Sequence, residues 1–253
     1  RSFEASDKNL ILDKYQKQAI DAFREGKTVI VTAPTGTGKT LIAEYAIDDA
    51  IKSGKKIIYL APLKALSNEK YNKFGELFGT YNELGELVGK ENIGIITGDV
   101  KINTDAPVIV MTTEVYRNMV ASHTKSELEE ELKDVDGVIF DEFHYLDDED
   151  RGTVWEEAIM FSPPNIKFMM LSATASNAEQ IKNWISSVNP AKDVELVNIP
   201  ESERHVPLKY FAYAALKKDT KPQLLNLMKM SVNVDKLENG QISSRVKEAL
   251  INI

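Results

Sequence analysis

Val29-Ile-Val-Thr-Ala33-Pro-Thr-Gly-Thr-Gly-Lys-Thr40 is the stretch on which the reading of the fold turns. An apolar, β-branched run, Val29–Ala33, enters a loop with glycines at Gly36 and Gly38, and the loop opens into a helical pattern over Lys39–Lys52. Glycines let the backbone turn so that successive N–H groups face an anion. The first turn of the following helix adds the positive end of its dipole. Within that cradle of Pro34, Thr35, Gly36, Thr37 and Gly38, Lys39 is the candidate to neutralise the β- and γ-phosphate charge of a triphosphate, and Thr40 to offer its hydroxyl to Mg²⁺. The string alone also allows a glycine-rich turn with a chance lysine; the strand before it and the helix after it argue for the phosphate loop.

A second apolar run, Val138-Ile-Phe-Asp141-Glu142-Phe-His144, delivers two adjacent carboxylates at its end. Paired with the loop, Asp141 reads as the acid that holds Mg²⁺ through water, and Glu142 as the base that orients and deprotonates an attacking water. Lys39, Asp141 and Glu142 are thus the candidate catalytic residues, with Thr40 and Asp141 as the metal pair. Asp141 could instead cap a helix, with Glu142 in its first turn. His144 reads equally as a residue coupling the site to motion or as a partly buried, hydrogen-bonded histidine.

Working outward, strand-like runs at Val29–Ala33, Lys56–Ala61, Ile93–Thr97, Val108–Thr112, Val135–Asp141, Lys167–Ser172 and Val194–Ile199 alternate with helical patterns. The helical patterns are Lys14–Arg24, Lys39–Lys52, Leu63–Phe78, Glu114–Ala121, Thr153–Phe161 and Ser176–Ser187, the last opened by a capping box over Ser176-Asn-Ala-Glu179. Continuous apolar strands with helical crossovers imply an α/β fold: a mostly parallel sheet with helices on both faces, and ligands at the carboxyl ends of the strands. From about Glu201 the alternation weakens; a possible strand at Lys209–Ala214 and helical patterns near Pro222–Ser231 and Ser243–Ile251 follow. Residues 1–200 therefore read as one domain, and 201–253 as a linker or the beginning of a second.

Composition limits the classes of function. The chain has 253 residues, no cysteine and a formal net charge of −8. Disulfides and thiolate metal sites are excluded, which fits a reducing cytosol and a cytoplasmic location. No apolar run approaches the roughly 18 residues of a membrane helix. The acidic balance, concentrated before Glu201, argues against tight electrostatic clamping of nucleic acid, so any grip on a strand must come from backbone donors and a few side chains. Asp147-Asp-Glu-Asp150 reads as a solvated acidic loop, and Trp155 as core packing.

Gly36–Thr40, Asp141-Glu-Phe-His144 and Ser172-Ala-Thr174 occur in the order and spacing of superfamily 2 helicases of the DExH type, which commonly open the phosphate loop with alanine, as at Ala33. Ala61-Pro-Leu-Lys-Ala-Leu-Ser-Asn-Glu-Lys70, Thr97-Gly-Asp-Val100, Met111-Thr-Thr-Glu-Val-Tyr-Arg117 and Arg151-Gly-Thr-Val-Trp-Glu-Glu157 narrow the resemblance to the superkiller-type RNA helicases that feed the RNA-degrading exosome. Archaeal repair DNA helicases are looser cousins. The resemblance covers roughly Leu10 to Leu208 and implies a RecA-like P-loop NTPase domain using ATP and Mg²⁺.

The resemblance also assigns roles. The adenine-recognition motif falls on Leu12-Asp-Lys-Tyr-Gln16, where the Gln16 amide can donate and accept at once; as an alternative, Gln16 is an exposed helix residue. The aromatic residue the family often carries six positions earlier is Leu10 here, which removes the stacking contact. Ser172 and Thr174 match the motif that couples hydrolysis to domain movement, and short hydroxyls at a strand end also bond local backbone. Lys64, Gly98 and Thr113 are the candidates for holding the backbone of a single strand, RNA favoured over DNA, although Thr113 could equally cap the helix that follows it. No Gln-x-x-Gly-Arg-x-Gly-Arg string is present, so the arginines that complete the site are expected from a second RecA-like domain, and the chain by itself is expected to bind ATP and hydrolyse it slowly. A DNA-directed helicase and a non-motor ATP switch are the competing readings.

Overall fold

The computed structural model describes residues 12–144, 152–173 and 177–200, and the backbone of 211–214 and 223–226. The chain divides into two compact units, Arg1–Glu203 and Arg204–Ile253. In the first, the strands are β1 (Thr28–Thr32), β2 (Lys56–Ala61), β3 (Thr80–Tyr81), β4 (Leu87–Gly89), β5 (Ile93–Ile96), β6 (Lys101–Ile102), β7 (Val108–Thr112), β8 (Val135–Phe140), β9 (Lys167–Ser172) and β10 (Val194–Asn198). The helices are α1 (Lys14–Arg24), α2 (Lys39–Ser53), α3 (Lys64–Phe78), α4 (Thr113–Ser122), α5 (Lys125–Glu131), α6 (Gly152–Phe161) and α7 (Ala178–Val188).

Eight of these strands form one sheet in the order β10-β1-β9-β8-β2-β7-β5-β6. Every pairing in it is parallel except β5 with β6. Period-two alternation sends neighbouring residues of one strand into different cores. Val29, Val31, Tyr59 and Ile139 pack into one with Ala19, Ile42 and Phe74 from α1, α2 and α3. Ile30, Ile58, Leu60, Val138 and Phe140 pack into the other with Tyr116, Trp155 and Ile185 from α4, α6 and α7. Strands covered on both faces need to be apolar throughout, which is why β1 reads Thr-Val-Ile-Val-Thr and is buried at every position. Trp155 is packed in the second core against Phe140 and Phe143, with ring centroids 5.6 and 5.7 Å apart. Burying side chains of this size stabilises the fold by roughly 1.5–3 kcal/mol each. Among the described residues no helix is long and apolar enough to cross a membrane.

Five details depart from the sequence reading. The short antiparallel pair β3 with β4, the strand β6 and the helix α5 are additional elements, all short and largely exposed. The N-cap of α7 is Asn177, so the helix starts one residue later than a Ser176 cap would place it; Ser176 lies outside the described residues. Of the two helical patterns near the end of the chain, Pro222–Ser231 contains a strand instead, Gln223–Asn226 (β12), paired antiparallel with Phe211–Ala214 (β11) in the second unit. Gln and Leu favour a helix locally, so here pairing with a strand overrides local propensity. The pattern at Ser243–Ile251 lies outside the described residues.

Candidate active site

Neighbouring parallel strands bring the motifs together. The sheet order places β1, β9 and β8 side by side, and all three run the same way. Adjacent strands lie about 4.8 Å apart, so their carboxyl tips fall within roughly 10 Å of one another. Hydrogen bonds fix the tips: the Ala33 N–H donates to the Ser172 carbonyl at 3.1 Å, and the Asp141 N–H donates to the Leu60 carbonyl of β2 at 2.9 Å. The phosphate loop, the paired acids and Ser172 are therefore parts of one edge.

At the loop, Gly36 and Gly38 adopt φ of 83° and 92°, the left-handed region that favours glycine. Gly38 is the N-cap of α2, and the first turn of α2 contains no acidic residue, so the positive end of the helix has no neutralising side chain of its own. The Lys39 ammonium donates to the carbonyls of Ala33 at 2.6 Å and Pro34 at 3.2 Å, folded over the start of its own loop. Thr40 sits half-buried in the first turn of α2, and Thr35 and Gly36 are exposed at the loop tip.

Two residues of α1 hold the far side of the loop. Gln16 is buried at 4% exposure, not exposed on the helix surface. Its amide nitrogen donates to the Gly38 carbonyl at 3.2 Å, and its amide oxygen accepts from the Asp13 N–H at 2.9 Å. A Cβ at Gly38 would meet that amide at 2.7 Å and displace it, and the φ of 92° favours glycine there. Tyr15 donates its hydroxyl to the Thr37 carbonyl at 2.5 Å, and burial raises its pKa above the usual phenol value. Thr37 is itself buried, with its hydroxyl on the Pro34 carbonyl at 2.7 Å.

The acids are held from the other side. Asp141 is buried at 6% exposure. One carboxylate oxygen accepts from the Tyr59 hydroxyl of β2 at 2.5 Å and lies 2.9 Å from the Lys70 ammonium of α3. The other accepts the Glu142 N–H at 3.1 Å. Burial, and then the negative charge of Asp141, drive the Tyr59 pKa well above its usual value, so Tyr59 stays a donor. Glu142 has a φ of 53°, an uncommon conformation for a residue with a Cβ, which costs roughly 1–3 kcal/mol and collects at functional sites. Glu142 Oε2 lies 3.3 Å from His144 Nδ1, an ion pair when the imidazole is protonated. His144 thus pairs with the second acid, and both are partly exposed.

The remaining candidates divide. Lys64, at the first turn of α3, and Gly98 are brought together: a Cβ on Gly98 would lie 3.8 Å from the Lys64 ammonium. Lys64 also pairs with Asp99 at 2.9 Å, and the hydrogen bonds from Lys64 and Thr97 lower the Asp99 pKa. Thr113 does not join them. It is buried at 1% exposure with its hydroxyl 3.5 Å from the Ala61 carbonyl, so its side chain presents no surface to a strand, and the N-cap of α4 is Thr112. Ser172 is buried at the end of β9; Thr174 lies outside the described residues, as do Leu10 and Asp147–Asp150. Tyr15, Tyr59 and Lys70 were not singled out from the sequence. Lys70 carried a signal, since it continues the buried stripe Ser67, Phe74, Phe78 of α3 at helical spacing, where a cation needs a buried partner.

The family model described as DEAD/DEAH box helicase matches residues 13–181. The chain belongs to that family. Within it, the chain is 43% identical over 203 residues to the antiviral helicase SKI2 of Saccharomyces cerevisiae, covering 80% of this chain and 14% of the relative. It is 38% identical over 227 residues to the chloroplastic DExH-box ATP-dependent RNA helicase DExH15 of Arabidopsis thaliana, covering 89% and 18%, and 41% identical over 197 residues to the probable helicase HelY of Mycobacterium tuberculosis, covering 78% and 20%. These are superkiller-type relatives, and the chain spans about a fifth or less of their length. Among solved structures, the Mycobacterium smegmatis helicase Lhr bound to single-stranded DNA and AMP-PNP superposes with a TM-score of 0.53 at 25% identity, over 74% of this chain and 25% of that one. The Pyrococcus furiosus Hef helicase domain gives 0.51 at 23% identity over 73% and 38%, a likeness of fold. The α/β sheet described above is the RecA-like domain that the motifs implied.

The left-handed backbone at Glu142 is directly testable. Glu142→Gly is expected to be more stable than Glu142→Ala by about 1 kcal/mol in urea unfolding, the reverse of the usual order, because only glycine adopts that φ freely. Equal or greater stability of the alanine variant would show that the conformation is not imposed by the fold.

Proposed function

We propose that this chain is the ATP-binding motor domain of an ATP-dependent nucleic-acid helicase that acts on RNA in preference to DNA. The observation that carries the reading is the single edge shared by Lys39, Asp141, Glu142 and Ser172, facing the open positive end of α2. Gln16, Pro34, Thr35, Gly36, Thr37, Gly38, Lys39 and Thr40 are the proposed nucleotide contacts. On arrival of a triphosphate, Lys39 exchanges the Ala33 and Pro34 carbonyls for phosphate oxygens, an ion pair in place of two contacts to uncharged acceptors.

The donors fit Mg²⁺. A Thr40 hydroxyl and an Asp141 carboxylate are hard oxygen ligands of the kind this ion takes together with waters and substrate phosphates. When bound, Mg²⁺ supplies neutralisation of phosphate charge. Glu142, aimed by its backbone and paired with His144, is the proposed base for water, and its contact with His144 gives a route for coupling alongside Ser172 and Thr174.

Lys64 and Gly98, side by side beyond the strand ends, are the proposed contacts to a strand backbone, where a lysine and a close backbone approach carry little base specificity. The RNA preference is supported by the Leu63–Lys70 and Arg151–Glu157 strings and by the likeness to the RNA helicase DExH15; the Lhr complex with single-stranded DNA favours the alternative. Residues 1–200 are proposed as the motor domain and 201–253 as a linker or the opening of a second domain. A second RecA-like domain is proposed to supply the arginines on the γ-phosphate side. A cysteine-free composition supports a cytoplasmic location.

Lys39→Ala is expected to weaken Mg²⁺-dependent ATP binding by about 10–100-fold, the loss of a charged hydrogen-bonded contact, in a titration with a fluorescent nucleotide. Unchanged affinity would remove the phosphate-loop reading. In the intact protein, ATPase stimulation by an RNA strand is expected to exceed that by the DNA strand of the same sequence; equal or greater stimulation by DNA would transfer the assignment to a DNA helicase, and none by either would favour an ATP switch.

A further inference from the structure

Lys70 belongs to no part of the reaction described above, yet it makes a buried ion pair with one of the proposed metal ligands. Its ammonium lies 2.9 Å from an Asp141 oxygen, and the two side chains are only 11% and 8% exposed. The same oxygen accepts the Tyr59 hydroxyl at 2.5 Å, and the Lys70 ammonium sits 5.7 Å from the centre of the Tyr59 ring. Lys70 is not free to swing away with a loop. It stands in the middle of α3, and one turn on, Lys73 pairs at 2.6 Å with Glu44, a buried acid on the helix that carries Lys39 and Thr40. Two cation–carboxylate contacts thus fasten α3 to both halves of the nucleotide edge.

A buried carboxylate without a compensating charge is costly, and Lys70 supplies that charge. A dication that approaches Asp141 therefore meets a carboxylate already neutralised and a cation at contact distance. We propose that Lys70 is an internal counter-cation for Asp141 that competes with Mg²⁺ and sets the magnesium concentration at which nucleotide binds tightly. This inference rests on the reading of Asp141 as the metal-holding acid. In this role Lys70 is a positioning residue: it acts on Asp141 and not on the nucleotide. It also gives α3 a function, because the helix that presents Lys64 beside Gly98 carries, two turns along, the charge that the metal must contend with.

The test is a magnesium titration of a fluorescent ADP analogue bound to the protein, read as the Mg²⁺ midpoint of affinity, with circular dichroism as the check on folding. Lys70→Met removes the charge and keeps the length, and is expected to lower the midpoint by about tenfold, the scale of one nearby unit charge in a partly screened site. Lys70→Arg keeps the charge and is expected to restore the wild-type midpoint, which a purely structural role for the lysine would not require. Lys70→Gln serves if the methionine variant does not fold. An unchanged or raised midpoint in a folded neutral variant overturns the proposal. Asp141→Asn separates this failure from that of the underlying reading: if it leaves the magnesium dependence at wild type, Asp141 is not a metal ligand and both fall; if it abolishes the dependence while Lys70→Met changes nothing, only the proposal about Lys70 falls.

Discussion

The structure depends on the parallel alignment of β1, β9, β8 and β2. Parallel strands point all their carboxyl ends one way, and the register Thr32↔Ser172 and Leu60↔Phe140 places the residues that follow those strands level with one another. The Ala33–Ser172 and Asp141–Leu60 hydrogen bonds extend the ladder one residue beyond the strands, into the motifs themselves. An antiparallel insertion at any of these positions would move one half of the site to the opposite edge. The two apolar cores enforce the alignment, because each strand buries both faces and a slip of one residue would exchange every side chain between them.

Against that rigid frame, the site itself is unrelaxed. Glu142 holds a left-handed backbone, Lys39 is folded onto carbonyls of its own loop, and Asp141 shares one buried oxygen between a phenol and an ammonium. The Glu142 backbone is a local cost that the surrounding packing over-determines, while the contacts of Lys39 and Asp141 compensate charge that a ligand would otherwise meet. The positive end of α2 and the paired acids lie at one edge with opposite signs, an arrangement suited to a triphosphate on one side and a cation between.

Most of the frame was legible in the residues because buried parallel strands must be continuous apolar runs. β2, β7 and β9 begin and end where the hydrophobic pattern does, and α1 matches its pattern from Lys14 to Arg24. The pieces that escaped have little buried surface to mark them: α5 buries only Leu128, and the pair β3 with β4 buries no residue. At the site, spacing located the ends of the motifs but not their partners. Tyr59 and Asp141 are 82 positions apart in sequence, and nothing local to either announces the contact. Thr113 is a like case: the spacing that placed it after β7 says nothing of which way its hydroxyl turns, and here it turns to the Ala61 carbonyl.

The central claim is that the loop at Lys39 and the acids at 141–142 serve one triphosphate–metal complex. A crystal structure of this chain with Mg²⁺ and a non-hydrolysable ATP analogue tests it most directly. The account requires the Lys39 ammonium to leave the Ala33 and Pro34 carbonyls for phosphate oxygens, with the ion held between the Thr40 hydroxyl and the Asp141 side. A nucleotide bound elsewhere, or bound at the loop with its metal remote from Asp141, would contradict it.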